Sequence, residues 1–330
     1  MLNSEHLSEY LNIMLVDLHR HFGGSISCKL VSEVSGINID IVNDIMVCKD
    51  VETYSDFFRH FEILDKINWD KTNTEKAIHN VLWDIKREGI DYAEIKFSVN
   101  KYINCFKESH NDIVKWFLYK ILSHADNLGL EVDAILSLKH DMNKDLQISI
   151  ADCIEDELIR EHIAGIDVVG DENYFDPIFY KSIYDKWHYY DKVCMAHVGE
   201  IDNVKNVMDA IKILNVDRIC HGIAACDNEE ILQLSLERDI CFDTCITSNI
   251  YTGVAHINNH PVKRMVENGF IISIGTDDPV IFNTNIHKEY ALLKFITGID
   301  DDGIDTLKQR TPRYSARSII DRKVNSGVKI

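Results

Sequence analysis

The sequence of 330 residues predicts an α/β fold, a (β/α)8 TIM barrel with extra helices between strands 1 and 2, on three observations. Eight short apolar runs alternate with longer segments of helical period, the rhythm of parallel βα units. The length suits one such barrel with a few insertions. Titratable residues also recur just past the apolar runs, at the strand tips where a barrel gathers its reactive groups. No Gly/Ser linker, internal repeat or low-complexity tract breaks the chain, so a single domain over residues 1–330 is expected.

The predicted strands, in order, are Ile13–Leu18, Tyr92–Phe97, Val132–Ser137, Gly165–Val169, Val193–His197, Arg218–Cys220, Ile240–Thr244 and Ile271–Gly275. Amphipathic stretches between them, among them Asn80–Arg87, Ile113–Leu128, Asn203–Leu214 and Glu229–Glu237, repeat apolar residues every three or four positions and read as outer helices. The gap between the first two strands exceeds a normal βα connection. It carries Phe57, Phe58 and Phe61 and is expected to form helices over the barrel mouth. The acidic run Asp300–Asp302 reads as a solvated loop, and the polar tail after Asp321 is expected to fray.

Composition narrows the function. Fifty-four acidic against 35 basic residues give a formal charge of −19, a field that repels polyanions and removes the electrostatic attraction on which nucleic-acid binding relies. A small neutral or cationic substrate fits, and a compact phosphate is compatible if one local site overrides the field. The nine cysteines are scattered without a CxxC pair and read as reduced and mostly buried. Met1–Asn12 has no apolar core of a signal peptide, and no run approaches the ~18 apolar residues of a membrane span, so a cytoplasmic location with no membrane partner is expected.

The chemistry lies at the strand tips. In Asp17-Leu18-His19-Arg20-His21 the two imidazoles are two residues apart, hence on one side of an extended segment. The fifth strand leads into His197-Val198-Gly199-Glu200, the sixth into His221-Gly222, and the eighth into Thr276-Asp277-Asp278-Pro279. Four separate strands thus deliver histidines and carboxylates to one rim. Three imidazoles and one carboxylate suit Zn²⁺ with an open position for water, and His19, His21, His197 and Asp277 are the ligand set expected for one ion per chain. Bound zinc lowers the pKa of its water from ~15.7 towards ~7, which supplies a nucleophile at neutral pH. Other readings stay open for some positions: Asp278 as a cap on a helix starting at Pro279, His221 as a core histidine, and Phe57, Phe58 and Phe61 as core.

DLHRHFGGS, GIDVVGDE, AHVGE, RICHGI, TSN and IGTDDP occur in an order and spacing that resemble the adenosine deaminase family from about residue 13 to 290. The resemblance implies hydrolytic deamination of adenosine and 2′-deoxyadenosine, with release of ammonia. It gives Glu200 the role of general acid at purine N1, and His221 that of base or electrostatic orienter beside the attacking water. Asp278 would accept a hydrogen bond from purine N7, the Gly170 amide would face N3, and Phe58 and Phe61 would lie in an apolar lid over the purine.

The chain also departs from that pattern. Family members usually carry an acidic residue where His21-Phe22-Gly23-Gly24 has Gly23, so the partner of the ribose 5′-hydroxyl is missing. An uncharged pocket there accommodates a 5′ substituent, and the alternative substrate is a 6-aminopurine nucleotide such as an N6-modified AMP. The proline expected after Lys96-Phe97-Ser98 is replaced by Val99. A third reading, a nucleoside-binding protein without turnover, is disfavoured by the intact set of titratable residues, and a two-metal amidohydrolase by the lack of an evident strand-end lysine to bridge two ions.

Overall fold

A computed structural model of the chain describes residues 13–326. The expectation for Met1–Asn12 lies outside the described residues. Eight parallel strands run in sequence order: β1 Val16–His21, β2 Tyr92–Phe97, β3 Glu131–Lys139, β4 Gly165–Val169, β5 Val193–Val198, β6 Arg218–His221, β7 Cys241–Thr244 and β8 Ile272–Ile274. The sheet closes where the His21 amide donates to the Asp277 carbonyl and the Asp277 amide to that of His19, each at 2.8 Å. This is the (β/α)8 barrel expected.

Strand alternation sorts the side chains. On β2, Ala93, Ile95 and Phe97 face outward into the main apolar core, where they meet Ile78, Val81 and Ile85 of the helix Lys71–Arg87 and Phe117 and Ile121 of the helix His110–Leu128. Tyr92, Glu94 and Lys96 point into the barrel and are buried. Asp70 caps the first helix through the Asn73 amide and Ser109 the second through that of Asp112, which satisfies orphan donors at each N-terminus.

The barrel interior is charged rather than layered with branched apolar residues. Arg218 donates to Glu94 at 2.7 Å, to Asp243 at 2.6 Å and to the Leu18 carbonyl at 2.7 Å; nearer the mouth, Lys96 donates to Asp167 at 2.6 Å. All five side chains are fully buried. Buried charges persist only when paired in this way, because removing one partner leaves an uncompensated ion in a low dielectric.

Several boundaries differ from expectation. Ile13–Leu15 lie outside the sheet, and β1 runs to His21, so both imidazoles sit on the strand itself rather than after it. A register shift between Asp17 and Arg20 lets β1 continue beside β2. No helix starts at Pro279; the next one begins at Ile286 under an Asn285 cap, which removes the capping role for Asp278. Asp300–Asp302 is a helix start rather than a loop: Asp300 accepts from the Gly303 amide, and Asp301 and Asp302 lie in a first turn where negative charge is favoured. The tail is ordered into the helix Ala316–Ser326, while residues 327–330 lie outside the described residues. Between β1 and β2 the insertion forms helices Cys28–Ser35 and Ile39–Met46, then short turns over Tyr54–Asp65, at the mouth as expected. All nine cysteines are free thiols and eight are buried. No helix among the described residues is long and apolar enough to cross a membrane.

Candidate active site

The strand tips place His21, His197, His221, Glu200, Asp277 and Asp278 around the floor of one cavity of about 480 Å³ at the barrel mouth, a size suited to a small organic ligand, and the fully buried His19 adjoins them. His19 and His21 reach it by strand alternation on β1, and His197 follows Met195 on the inner face of β5. His221 does not follow by alternation. Cys220 already faces inward, so the next residue of a strand would point out. A left-handed backbone at φ +64 turns the His221 ring into the mouth instead. Asp277, at φ +59, is turned the same way past the end of β8. Such conformations are rare for side chains other than glycine and concentrate at working sites.

Three ring nitrogens converge. His19 Nε2 lies 3.2 Å from His21 Nε2 and 3.0 Å from His197 Nε2, and the latter two are 3.0 Å apart. Asp277 Oδ1 stands 3.3 Å from His21 Nε2 and 3.6 Å from His19 Nε2. The Nδ1 of His197 faces Asp167 Oδ1 at 3.2 Å, and since an ionised carboxylate only accepts, Nδ1 carries the proton and Nε2 presents a lone pair. Burial opposes the charge on Asp167, but His197 and Lys96 hold its carboxyl well below the usual range. Nitrogens packed this closely repel one another unless a cation sits among them. Ligands ~2.0–2.1 Å from a tetrahedral zinc lie about 3.3 Å apart, so the residues present fit such an ion. Burial, together with the neighbouring Lys96 and imidazoles, keeps His19 and His21 well below the usual histidine pKa and therefore neutral, the form that ligates a metal.

His221 stands beside this centre. Its Nε2 is 3.8 Å from Asp277 Oδ2 and 3.7 Å from Glu200 Oε2, and its Nδ1 is 3.3 Å from the Asn249 side-chain amide. His19, His197, His221 and Asp277 present donor atoms within 4.8 Å of one another, and His21 joins them through the distances above, so five groups surround the point where an ion fits.

Glu200 is held through its backbone. The Glu172 carboxylate accepts the amides of Gly199 at 2.6 Å, Glu200 at 3.0 Å and Ile201 at 3.2 Å, and Asn206 Nδ2 at 3.0 Å. Burial, then the charges of Asp277 and Glu172, push the Glu200 carboxyl well above its usual pKa. Asp278 is raised in the same way by burial and by Asp277, and its Oδ1 has no hydrogen-bond partner. Oδ1 lies against the Gly24 backbone, while the residue as a whole lines the cavity.

The wall and roof complete the cavity. Gly170, at φ +92, lines it, and its carbonyl accepts from the Tyr54 hydroxyl at 3.0 Å, which in turn accepts from the Glu172 amide at 3.2 Å. Phe57, Phe58 and Phe61 all line the cavity; Phe57 is buried and stacks on Phe282 at 5.0 Å, whereas Phe58 and Phe61 are half-buried. The three aromatics do not share one helix face as their spacing suggests, because an α-turn ends at Phe57 and a 3-10 turn carries Phe58–Phe61.

Sequence reasoning missed Tyr54, Lys96, Asp167, Glu172 and Asn249 as contributors. Asp167 carried a signal, a charged residue at the centre of the apolar strand Gly165–Val169. Glu172 ends the GIDVVGDE motif, but its role was not legible because the backbone it holds is more than 20 residues away, and Tyr54 carried no signal.

The family model described as adenosine deaminase matches residues 15–325. An adenosine deaminase from Clostridium acetobutylicum is 28% identical over 314 residues, covering 91% of each chain. Among solved structures, an adenine deaminase from Arthrobacter aurescens superposes with a TM-score of 0.79 at 19% identity, covering 97% of this chain and 100% of that one. The N6-methyl-AMP deaminase of Arabidopsis thaliana does so with a TM-score of 0.77 at 17% identity, covering 97% and 98%. At these identities the two structures establish a shared fold.

Proposed function

Because the chain belongs to the adenosine deaminase family, we propose that it removes the 6-amino group of adenosine and 2′-deoxyadenosine by hydrolysis, giving the 6-oxo nucleosides and ammonia. The observation that carries this reading is the pairing of converging imidazoles with Glu200, whose buried carboxyl is raised well above its usual pKa, across one cavity.

His19, His21, His197 and Asp277 would hold one Zn²⁺, which when bound supplies a water activated for attack at neutral pH. The chain's own residues do the rest. Glu200, kept protonated by burial, donates to purine N1 and makes C6 more electrophilic. His221, kept neutral chiefly by burial, takes up the proton of the attacking water and orients it towards C6. Asp278 works in the reverse sense to the sequence expectation: N7 of a neutral adenine offers only a lone pair, and the Asp278 carboxyl holds its proton, so Asp278 donates to N7. The Gly170 amide faces N3, and Phe58 and Phe61 cover the ring and exclude water.

A second substrate, a 6-aminopurine nucleotide, is favoured by one feature. A Cβ on Gly23 would meet only Phe61 and Leu64, at 3.8 Å or more, so the position is open, and Lys101 and Lys139 line the same cavity. A panel of adenosine, deoxyadenosine, adenine, AMP and N6-methyl-AMP, read by loss of absorbance at the adenine maximum together with metal analysis, separates the readings. Adenosine turned over more slowly than AMP would reject the nucleoside, and no turnover of any member would reject deamination.

A further inference from the structure

Besides the active-site group, the described residues hold several other clusters of metal-ligating side chains, two of which share a histidine with it, and most already contain a side-chain cation. Asp167, His197 and Cys220 surround the Lys96 ammonium, which lies 2.6 Å from Asp167 and 3.3 Å from Cys220 Sγ. Asp243, grouped with His19 and Cys220, is paired with Arg218 at 2.6 Å. Asp217, grouped with His188 and Cys194, is paired with Lys323 at 2.8 Å.

The group Cys48, Glu52 and His60, whose donor atoms lie within 4.8 Å of one another, differs. Arg59 reaches only Oε1 of Glu52, on the exposed side. The His60 Nδ1 faces the Ile45 carbonyl, which can only accept, so Nδ1 carries the proton. The His60 Nε2 is directed at Glu52 Oε2, 3.1 Å away. That contact takes either the proton of an imidazolium or a metal ion at Nε2. The Cys48 sulfur is buried beside them, and burial, then the Glu52 carboxylate, pushes its thiol up to about 12. A neighbouring divalent ion would take the place of that thiol proton.

We propose that Cys48 Sγ, Glu52 Oε2 and His60 Nε2 form a second, structural site for a divalent ion such as Zn²⁺, with water as the fourth ligand. Its position gives it a role. The Cys48 amide donates to the Ile281 carbonyl and the Glu52 amide to the Tyr251 carbonyl, each at 2.8 Å, which fixes these two residues to loops at the barrel rim. His60 sits between Phe58 and Phe61 on the 3-10 turn over the cavity. An ion joining the three ligands ties that turn to the rim and holds both aromatics over the substrate.

Co²⁺ reports on this site apart from activity, because a thiolate ligand gives a near-ultraviolet charge-transfer band that the nitrogen and oxygen ligands of the active site do not. The full chain, titrated with Co²⁺ in a thiol-free reductant, is expected to bind two equivalents and show the band. Cys48→Ser is expected to bind one equivalent, lose the band and keep its kcat, with KM raised several-fold. His60→Ala should behave alike and serves if Cys48→Ser misfolds. A single equivalent in the parent, no band, or a band that survives both substitutions would overturn the proposal. The outcome does not depend on which purine is the substrate.

Discussion

A Cβ built on Gly24 would lie 1.8 Å from Asp278 Oδ1, so the backbone after β1 and the carboxyl after β8 share space that only glycine leaves free. The Gly24 carbonyl also accepts from the Val280 amide at 3.0 Å, which locks the two loops in register. Gly24→Ala is therefore expected to displace Asp278 and raise KM for adenosine at least tenfold, while the bound metal stays at the parental level. Unchanged KM would show that the Asp278 carboxyl is not part of the purine site.

Glu200→Gln keeps the side-chain volume and removes the acidic proton. A drop in kcat of ~10²–10⁴ is expected, the usual worth of general acid catalysis, with little change in KM. The carboxyl acts while protonated, and burial raises its pKa, so parental kcat/KM should fall on the alkaline side as the proton is lost. Residual activity of the Glu200→Gln variant that lacks this alkaline limb supports the role, and turnover at the parental rate contradicts it.

At Gly23 the sequence and the cavity speak to substrate choice. Gly23→Asp places a carboxylate in open space, where it accepts from a ribose 5′-hydroxyl and repels a 5′-phosphate. The ratio of kcat/KM for adenosine over AMP is expected to rise at least tenfold. A ratio that does not move would place the 5′ end elsewhere.

Phe58→Ala and Phe61→Ala remove roof area from the cavity without touching the strand tips. Each should raise KM by about tenfold, as expected for roughly 1–2 kcal/mol of lost apolar contact, and leave metal content intact. Unchanged KM for both would place the purine away from this turn.

Glu289 supports the loop after β7: its carboxyl accepts from the Thr247 amide at 3.1 Å and the Thr284 hydroxyl at 2.6 Å, and also from the Thr247 hydroxyl. Burial raises it from 4.5 to about 7 despite these bonds. The folded chain thus binds the proton more tightly than the unfolded one. That stability is fully present below about pH 4.5 and is lost as pH rises through about 7. Melting temperatures measured across this window should fall less with rising pH in Glu289→Gln than in the parent; equal slopes would mean that Glu289 is ionised throughout.

Much of the architecture was legible along the chain, because strand alternation and helical period are local. Ala93, Ile95 and Phe97 against Glu94 and Lys96 already sort one face from the other, and residues at the tips of β1, β5, β6 and β8 could be assigned to one rim once the barrel was recognised. The sequence by itself therefore determined the fold, the family resemblance and the set of residues that meet. Only the tertiary structure decided how those residues act. The left-handed turn that aims His221, the burial that raises the pKa of Glu200 and Asp278, the hold of Glu172 on the Glu200 backbone and the close fit of Gly24 to Asp278 depend on the folded backbone or on contacts between segments far apart in the chain. Desolvation and Coulomb interaction depend on what surrounds a group in space, and no periodicity records that.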